Sequence, residues 1–417
     1  METKPIQRRY DLDWLRVLAF SGVFFYHCSR FFNTAGWHIK NAETSAFVDI
    51  FTNTFDLFGM PLIFAISGAS IFFALRPGGA SRFLRERVLR LLVPLALGIL
   101  VLAPPQVYLD RLTHGKFSGS FFEFIPQFFQ PANFAWTGVH LWYLEYLFVF
   151  TLVLLPLFIW LKRSSSQSAI KLLSRYSMPT GAIFLWAVPI ALVGITVDPF
   201  GLMKPPLSEA LLRLVMFPLY LIYGYLIYAD ECLQQTIIRQ RRLSLVLSIA
   251  GTIVALLIQV AMTEWGWKVS WLTFTLVMSL ASLLIWSYLL MIFGYGMRYL
   301  TANKRLLSYA NEAVLPFYIL HQPVILGVGY FIISLQLPIL AKYLIITPLA
   351  LGITLGLFEY GVRRVDLVRQ VFGLKTKQRD AVAANLAALP TASLRSNGIH
   401  EQIYRTNTIN QQKEGYK

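Results

Sequence analysis

DLDWLRVLAFSGVFFYHCSRFF, Asp11 to Phe32, is the stretch on which the reading of the chain turns. It is apolar enough to enter a bilayer, yet it carries Asp13, Arg16, His27 and Arg30. At about 100° of turn per residue these four side chains fall within one arc of about 100°, shared with Phe20 and Val23. Ionisable groups are costly in hydrocarbon and by default face a polar cavity or a partner. A helix is expected here with a polar stripe turned inward and an apolar remainder turned to lipid or protein. Of the stripe, only an imidazole both takes and gives a proton near neutrality when unperturbed, which marks His27. The competing reading is a packing histidine bonded to a backbone carbonyl.

The chain around this stretch has 417 residues, 56% of them hydrophobic and 14% charged, with 32 Phe, 20 Tyr and 10 Trp. Several long apolar runs in one chain predict an all-α, polytopic membrane protein. About ten spans are expected, near 13–33, 47–75, 88–109, 139–161, 179–197, 209–229, 243–263, 271–293, 313–334 and 341–363. The second is long enough to need a tilt or a kink, for which Pro61 or Ser67-Gly68 would serve. This divides the chain into an N-terminus (1–12), a transmembrane domain (13–363) and a polar tail (364–417). Cys28 and Cys232 form neither a disulfide framework nor a metal signature, so no metal is expected. The N-terminus lacks the core and cleavage site of a signal peptide, so the first span is expected to be retained.

Net charge is +16, but its distribution argues for topology rather than nucleic acid. Lys and Arg concentrate on the side of the N-terminus, as in Arg76, Arg82, Arg85, Arg87 and Arg90. The opposite loops hold Arg30, Lys40, Arg111, Lys116, Lys204, Lys268 and Lys342. By the positive-inside rule both termini are expected in the cytoplasm, the protein lying in the cytoplasmic (inner) membrane. Residues 162–178 and 230–242 read as short, basic internal loops. Asp110 to Gly138 is a long, aromatic, proline-interrupted external loop, either an interfacial anchor or a lid. Within the tail, the AVAANLAAL patch is expected to form a helical turn or two, and 393–417 is assigned no fold.

Depth places the remaining polar groups. His27 lies about 21 Å beyond Asp13 along the helix, in the outer half and within reach of Trp37 and His38. His140 and Trp142 open the fourth span at a similar height, and Glu145 follows about one turn deeper. Asp56 lies in the second span. His321 lies deeper in the ninth, just before Pro323. Function and structural hydrogen bonding stay open for His140 and His321 alike. Four arginines, Arg82, Arg85, Arg87 and Arg90, stand at the entry to the third span. Such forks match phosphate oxygens, although basic span ends and anionic lipid account for the same cluster.

Five ordered stretches resemble the integral-membrane acyltransferases of the type 3 family over most of residues 10–363. They are DLDWLRVLAFSGVFFYH, IFAISGASIFFAL, FLRERVLRLLVPL, HLWYLEYLF and LPFYILHQPVIL. GWHIKNAE is similar to the glucan-modifying branch, which includes the periplasmic glucan succinyltransferase. The glycine-rich lead into the second span found in the sugar O-acetyltransferases is missing, as is the C-terminal esterase-like domain of some members. All chemistry is therefore expected in the membrane domain. The resemblance implies transfer of an acetyl or succinyl group from cytoplasmic acyl-coenzyme A to a hydroxyl of an extracytoplasmic glycan or lipid-linked sugar. Asp13, Arg16 and His27 become the candidate catalytic set, with His27 as general base or, alternatively, acyl acceptor. Arg82, Arg85, Arg87 and Arg90 would meet the donor's phosphates, Arg85 and Arg87 matching the family's Arg-x-Arg pair. Arg30, Trp37, His38, His140, Trp142, Glu145 and His321 would serve the acceptor. Membrane lipids and the glycan are the implied partners. A transporter or flippase with proton-relay histidines is the rival reading, against which stand the arginine cluster and the lack of an internal repeat.

Overall fold

A computed structural model describes residues 8–197, 207–264 and 270–376. Among them every regular element is helical. The order is α1 (Tyr10–Ser29), α2 (Ala46–Ala74), α3 (Ala80–Thr113), α4 (Phe121–Phe128), α5 (Val139–Val153), α6 (Leu155–Leu161) and α7 (Ser164–Ser177). Then follow α8 (Ala182–Val197), α9 (Leu207–Ala229), α10 (Glu231–Glu264), α11 (Trp271–Tyr299), α12 (Arg305–Ile332), α13 (Ile339–Val362) and α14 (Asp366–Val371). Among the described residues seven helices, α2, α3 and α9 to α13, are long and apolar enough to cross a membrane, and counting each bent pair as one span gives up to nine. The pairs are α5–α6, bent by 57°, and α7–α8, bent by 120°. α1 has 20 residues, about 30 Å of helix, and matches a bilayer core in length, its charges setting it apart from the other spans. The polytopic helical bundle is as expected; the described residues hold seven to nine candidate spans, α1 not counted among them, where about ten were expected.

Proline shapes α3. Val93 N–H bonds to Val88 O and Ala103 N–H to Gly98 O, each five residues back, and in both places the next residue is a proline. A proline has no N–H to give, so the helix widens to a π turn just before it instead of breaking. α2, by contrast, passes through Pro61 and Gly68 as one 29-residue helix. Its register is set by a backbone crossing with α9. A Cβ on Gly68 would stand 1.8 Å from Leu221 O, and one on Gly224 1.8 Å from Ala65 O. Only glycine fits at either point.

Two stretches read as loops are helical. α7 buries Ser166, Ile170, Ser174 and Ser177 on one face, and its polar composition had hidden that period. The 230–242 stretch is the start of α10, where Asp230 Oδ1 accepts from Leu233 N–H at 3.0 Å. An aspartate at that place caps a helix rather than opening a loop. The aromatic segment after α3 forms α4 under a Ser120–Glu123 capping box, with Phe124 and Phe128 buried against Ala103. Residues 366–375 fold back onto the bundle, where Arg369 Nη1 meets Glu312 Oε1 of α12 at 2.7 Å. The expected helical patch, the 393–417 tail, Lys204 and Lys268 lie outside the described residues.

Candidate active site

The stripe of α1 walks along two cavities. Asp13, Arg16 and Phe20 line one of about 770 Å³. Val23, His27 and Arg30 line another of about 760 Å³. Between them stand three rings: Phe20 is 5.2 Å from Tyr318 and 6.0 Å from Tyr143, and Tyr143 is 5.7 Å from Tyr318, centroid to centroid. All three are nearly inaccessible to solvent. The rings meet edge to face and stand as a layer between the two cavities. Ser67 of α2 meets Tyr143 Oη at 2.6 Å.

The first cavity is an arginine cavity. Arg16 is held by three contacts: Nη1 reaches Asn311 Oδ1 at 2.8 Å and Asp13 Oδ1 at 3.3 Å, and Nη2 reaches Ser70 Oγ at 2.8 Å. Arg87 and Arg90 also line it, with Arg8, Arg9 and Arg369. Arg87 has no ion-pair partner among the described residues and lies over the Phe83 ring at 4.8 Å; Arg90 donates only to Gly373 O, at 3.3 Å. Two guanidinium groups without a counter-charge in a polar recess are suited to phosphate. Arg82 and Arg85 are exposed and lie on neither cavity wall, Arg82 pairing with Glu86 at 3.3 Å.

The second is a histidine cavity. His27 Nδ1 lies 3.0 Å from His321 Nε2, and His321 Nδ1 lies 2.6 Å from Tyr318 O. His140 Nε2 reaches Tyr318 O and Ile319 O at 3.2 Å each, while its Nδ1 is buried with no partner among the described residues. Of the residues singled out in the sequence, His27, Arg30, Trp37, His38, His140, Trp142 and Asp56 line this cavity. His321 is 1% exposed and stands behind the wall. Glu145 lies on neither wall, with Oε2 buried and without a partner among the described residues. The phenylalanines of the 110–138 segment are not among the residues that line it. His38, whose Nδ1 lies 3.3 Å from Asp110 Oδ1, ties the 33–45 loop to α3.

Sequence reasoning assigned no role to Arg213, Tyr318, Ser70 or Asn311. Arg213 lines the histidine cavity, 5.2 Å over the Trp142 ring, and its position inside a span was the signal available. Tyr318 precedes His321 by three residues, one helical turn, which places both on one face of α12.

A sequence model described as an acyltransferase domain, of the acyltransferase type 3 family, matches residues 9–359. The chain belongs to that family. This acyltransferase is similar to the protein named glucans biosynthesis protein C of Salmonella paratyphi A, at 24% identity over 386 residues, 90% of this chain and 97% of the relative. The same figures hold for the protein of that name from Salmonella agona, and 24% over 387 residues for that from Salmonella schwarzengrund. No solved structure is a significant match. The match removes the transporter reading: the chain is a multi-pass membrane O-acyltransferase, and the matched residues contain both cavities' share of α1, α2, α3, α5 and α12.

Proposed function

We propose that the enzyme takes an acyl group, acetyl or succinyl, from acyl-coenzyme A in the arginine cavity and transfers it to a glycan hydroxyl in the histidine cavity. The observation that carries this is the pair of chemically different cavities on one stripe of α1, separated by a single layer of rings. The arginine cavity faces the cytoplasm in this reading, because it lies at the end of the bundle where Lys and Arg concentrate. Arg87 and Arg90 hold the donor's phosphates, and Arg16, braced by Asp13, Asn311 and Ser70, keeps a fixed positive charge below the partition. The acyl thioester passes the rings to reach His27. There His27 Nε2 takes the acceptor's hydroxyl proton, the oxygen attacks the thioester carbonyl, the C–S bond breaks and the sulfur receives the proton from His27. Trp37 and Trp142 offer flat apolar faces and Arg30, Arg213 and Asp56 polar ones, as a sugar requires. The relatives' name, glucans biosynthesis protein C, supports a glucan as that acceptor.

The test is transfer by the purified protein in liposomes, supplied with acetyl- or succinyl-coenzyme A and a glucan, read by mass spectrometry of the glucan. Ester-linked acyl groups are expected with the wild type. His27→Gln keeps a polar side chain but removes the titratable base, and transfer is expected to fall by about 10²–10⁴. A folded His27→Gln protein working at the wild-type rate would end the case for the base.

A further inference from the structure

We propose that His321 is a positioning residue for the reaction: it fixes the tautomer and the ring orientation of His27. The inference rests on the reading of His27 as the base and goes beyond it. A backbone carbonyl only accepts, so the 2.6 Å contact with Tyr318 O makes His321 Nδ1 the donor. A neutral His321 then carries its lone pair on Nε2, and the 3.0 Å contact makes His27 Nδ1 the donor in turn. His27 is left with its lone pair on Nε2, which bonds no protein group among the described residues. The two rings are parallel to within 4° with centroids 5.1 Å apart, close to the N–N distance plus the two ring radii. They therefore meet edge to edge in one plane, as an N–H and a lone pair must. His321 lines neither cavity and cannot touch the acceptor, so any effect on transfer runs through His27. The chain of carbonyl, His321 and His27 does the orienting part of what a buried carboxylate does behind a catalytic histidine elsewhere, without placing a second charge in the membrane.

The experiment uses two amides that reach different ring nitrogens. His321→Gln sets an amide oxygen near the place of Nε2, where it can accept from His27. His321→Asn sets its amide near the place of Nδ1, where it can donate to Tyr318 O but not meet His27. Transfer by the full-length proteins in liposomes is compared with their unfolding temperatures. Positioning requires His321→Gln to keep kcat within about tenfold and His321→Asn to lose about 10²-fold, with KM for donor and acceptor within about twofold in both. A structural brace gives the reverse order, Asn active and Gln inactive, and would overturn the inference. Equal activity of the two, or a change confined to KM, would overturn it as well. His27→Gln distinguishes the two failures: if it is inactive while the pair at 321 shows the structural order, only the positioning role falls.

Discussion

Arg85 and Arg87 are two residues apart, yet α3 turns them to different surroundings. Arg87 points into the arginine cavity without a counter-charge, whereas Arg85 lies on neither wall. Arg87→Ala is therefore expected to cost one charged hydrogen bond to the donor, about 1.5–3 kcal/mol, or about 10- to 150-fold in affinity. Arg85→Ala should leave binding within about threefold. Equilibrium binding of acyl-coenzyme A to the two variants checks this, and equal losses would place the donor elsewhere. Residue identity alone does not separate the pair, because it says nothing of which way a π-widened helix turns. His27 was legible from the period of α1. Its partner was not, since His321 lies 294 residues away and only packing of α1 on α12 brings them together.

At the scale of elements, the α2–α9 crossing sets where Ser67 and Ser70 stand, and through them Tyr143 and Arg16. Gly224→Ala would drive a methyl into Ala65 O. A loss of about 1–3 kcal/mol is expected, read as a lower unfolding temperature in detergent, and an unchanged temperature would mean the helices part without cost. The 33–45 loop hangs on Lys40, whose Nζ donates to Arg30 O at 2.8 Å and Asn33 Oδ1 at 2.9 Å. Burial, and then the charge of Arg30, push the Lys40 ammonium down to about 8, against the pull of Asp49. Unfolded, it titrates near the ordinary lysine value of about 10.4. Between those values the unfolded chain holds the proton that the folded protein has released, so folding gains stability as pH rises through the window. The unfolding temperature of the wild type should accordingly rise relative to that of Lys40→Gln between about pH 7 and about pH 9.5. A constant difference would remove Lys40 from the loop's balance. The long apolar helices were legible from composition. α7 was not, because serines fill the buried face that a sequence reading expects to be apolar.

For the whole molecule, the sidedness of the two cavities follows from topology. Reporter fusions after Leu75 and after Lys162 should both read cytoplasmic, and an external reading at either would place the arginine cavity on the wrong side for a cytoplasmic donor. The ring partition of Phe20, Tyr143 and Tyr318 has a further consequence, which is electrical. An open aqueous bore from Arg16 to His27 would short-circuit an energised membrane, each elementary charge releasing about 2.3 kcal/mol per 100 mV as it fell through. In the proposed arrangement packed rings would insulate instead, so most of the voltage would drop across that layer, and whatever crosses it would feel it. An acetyl group is uncharged and would pass at any voltage. A succinyl group carries a carboxylate, and an inside-negative membrane would drive it outward. Transfer from the two donors in energised vesicles should therefore respond differently to the membrane potential, rising with it for succinyl and staying level for acetyl.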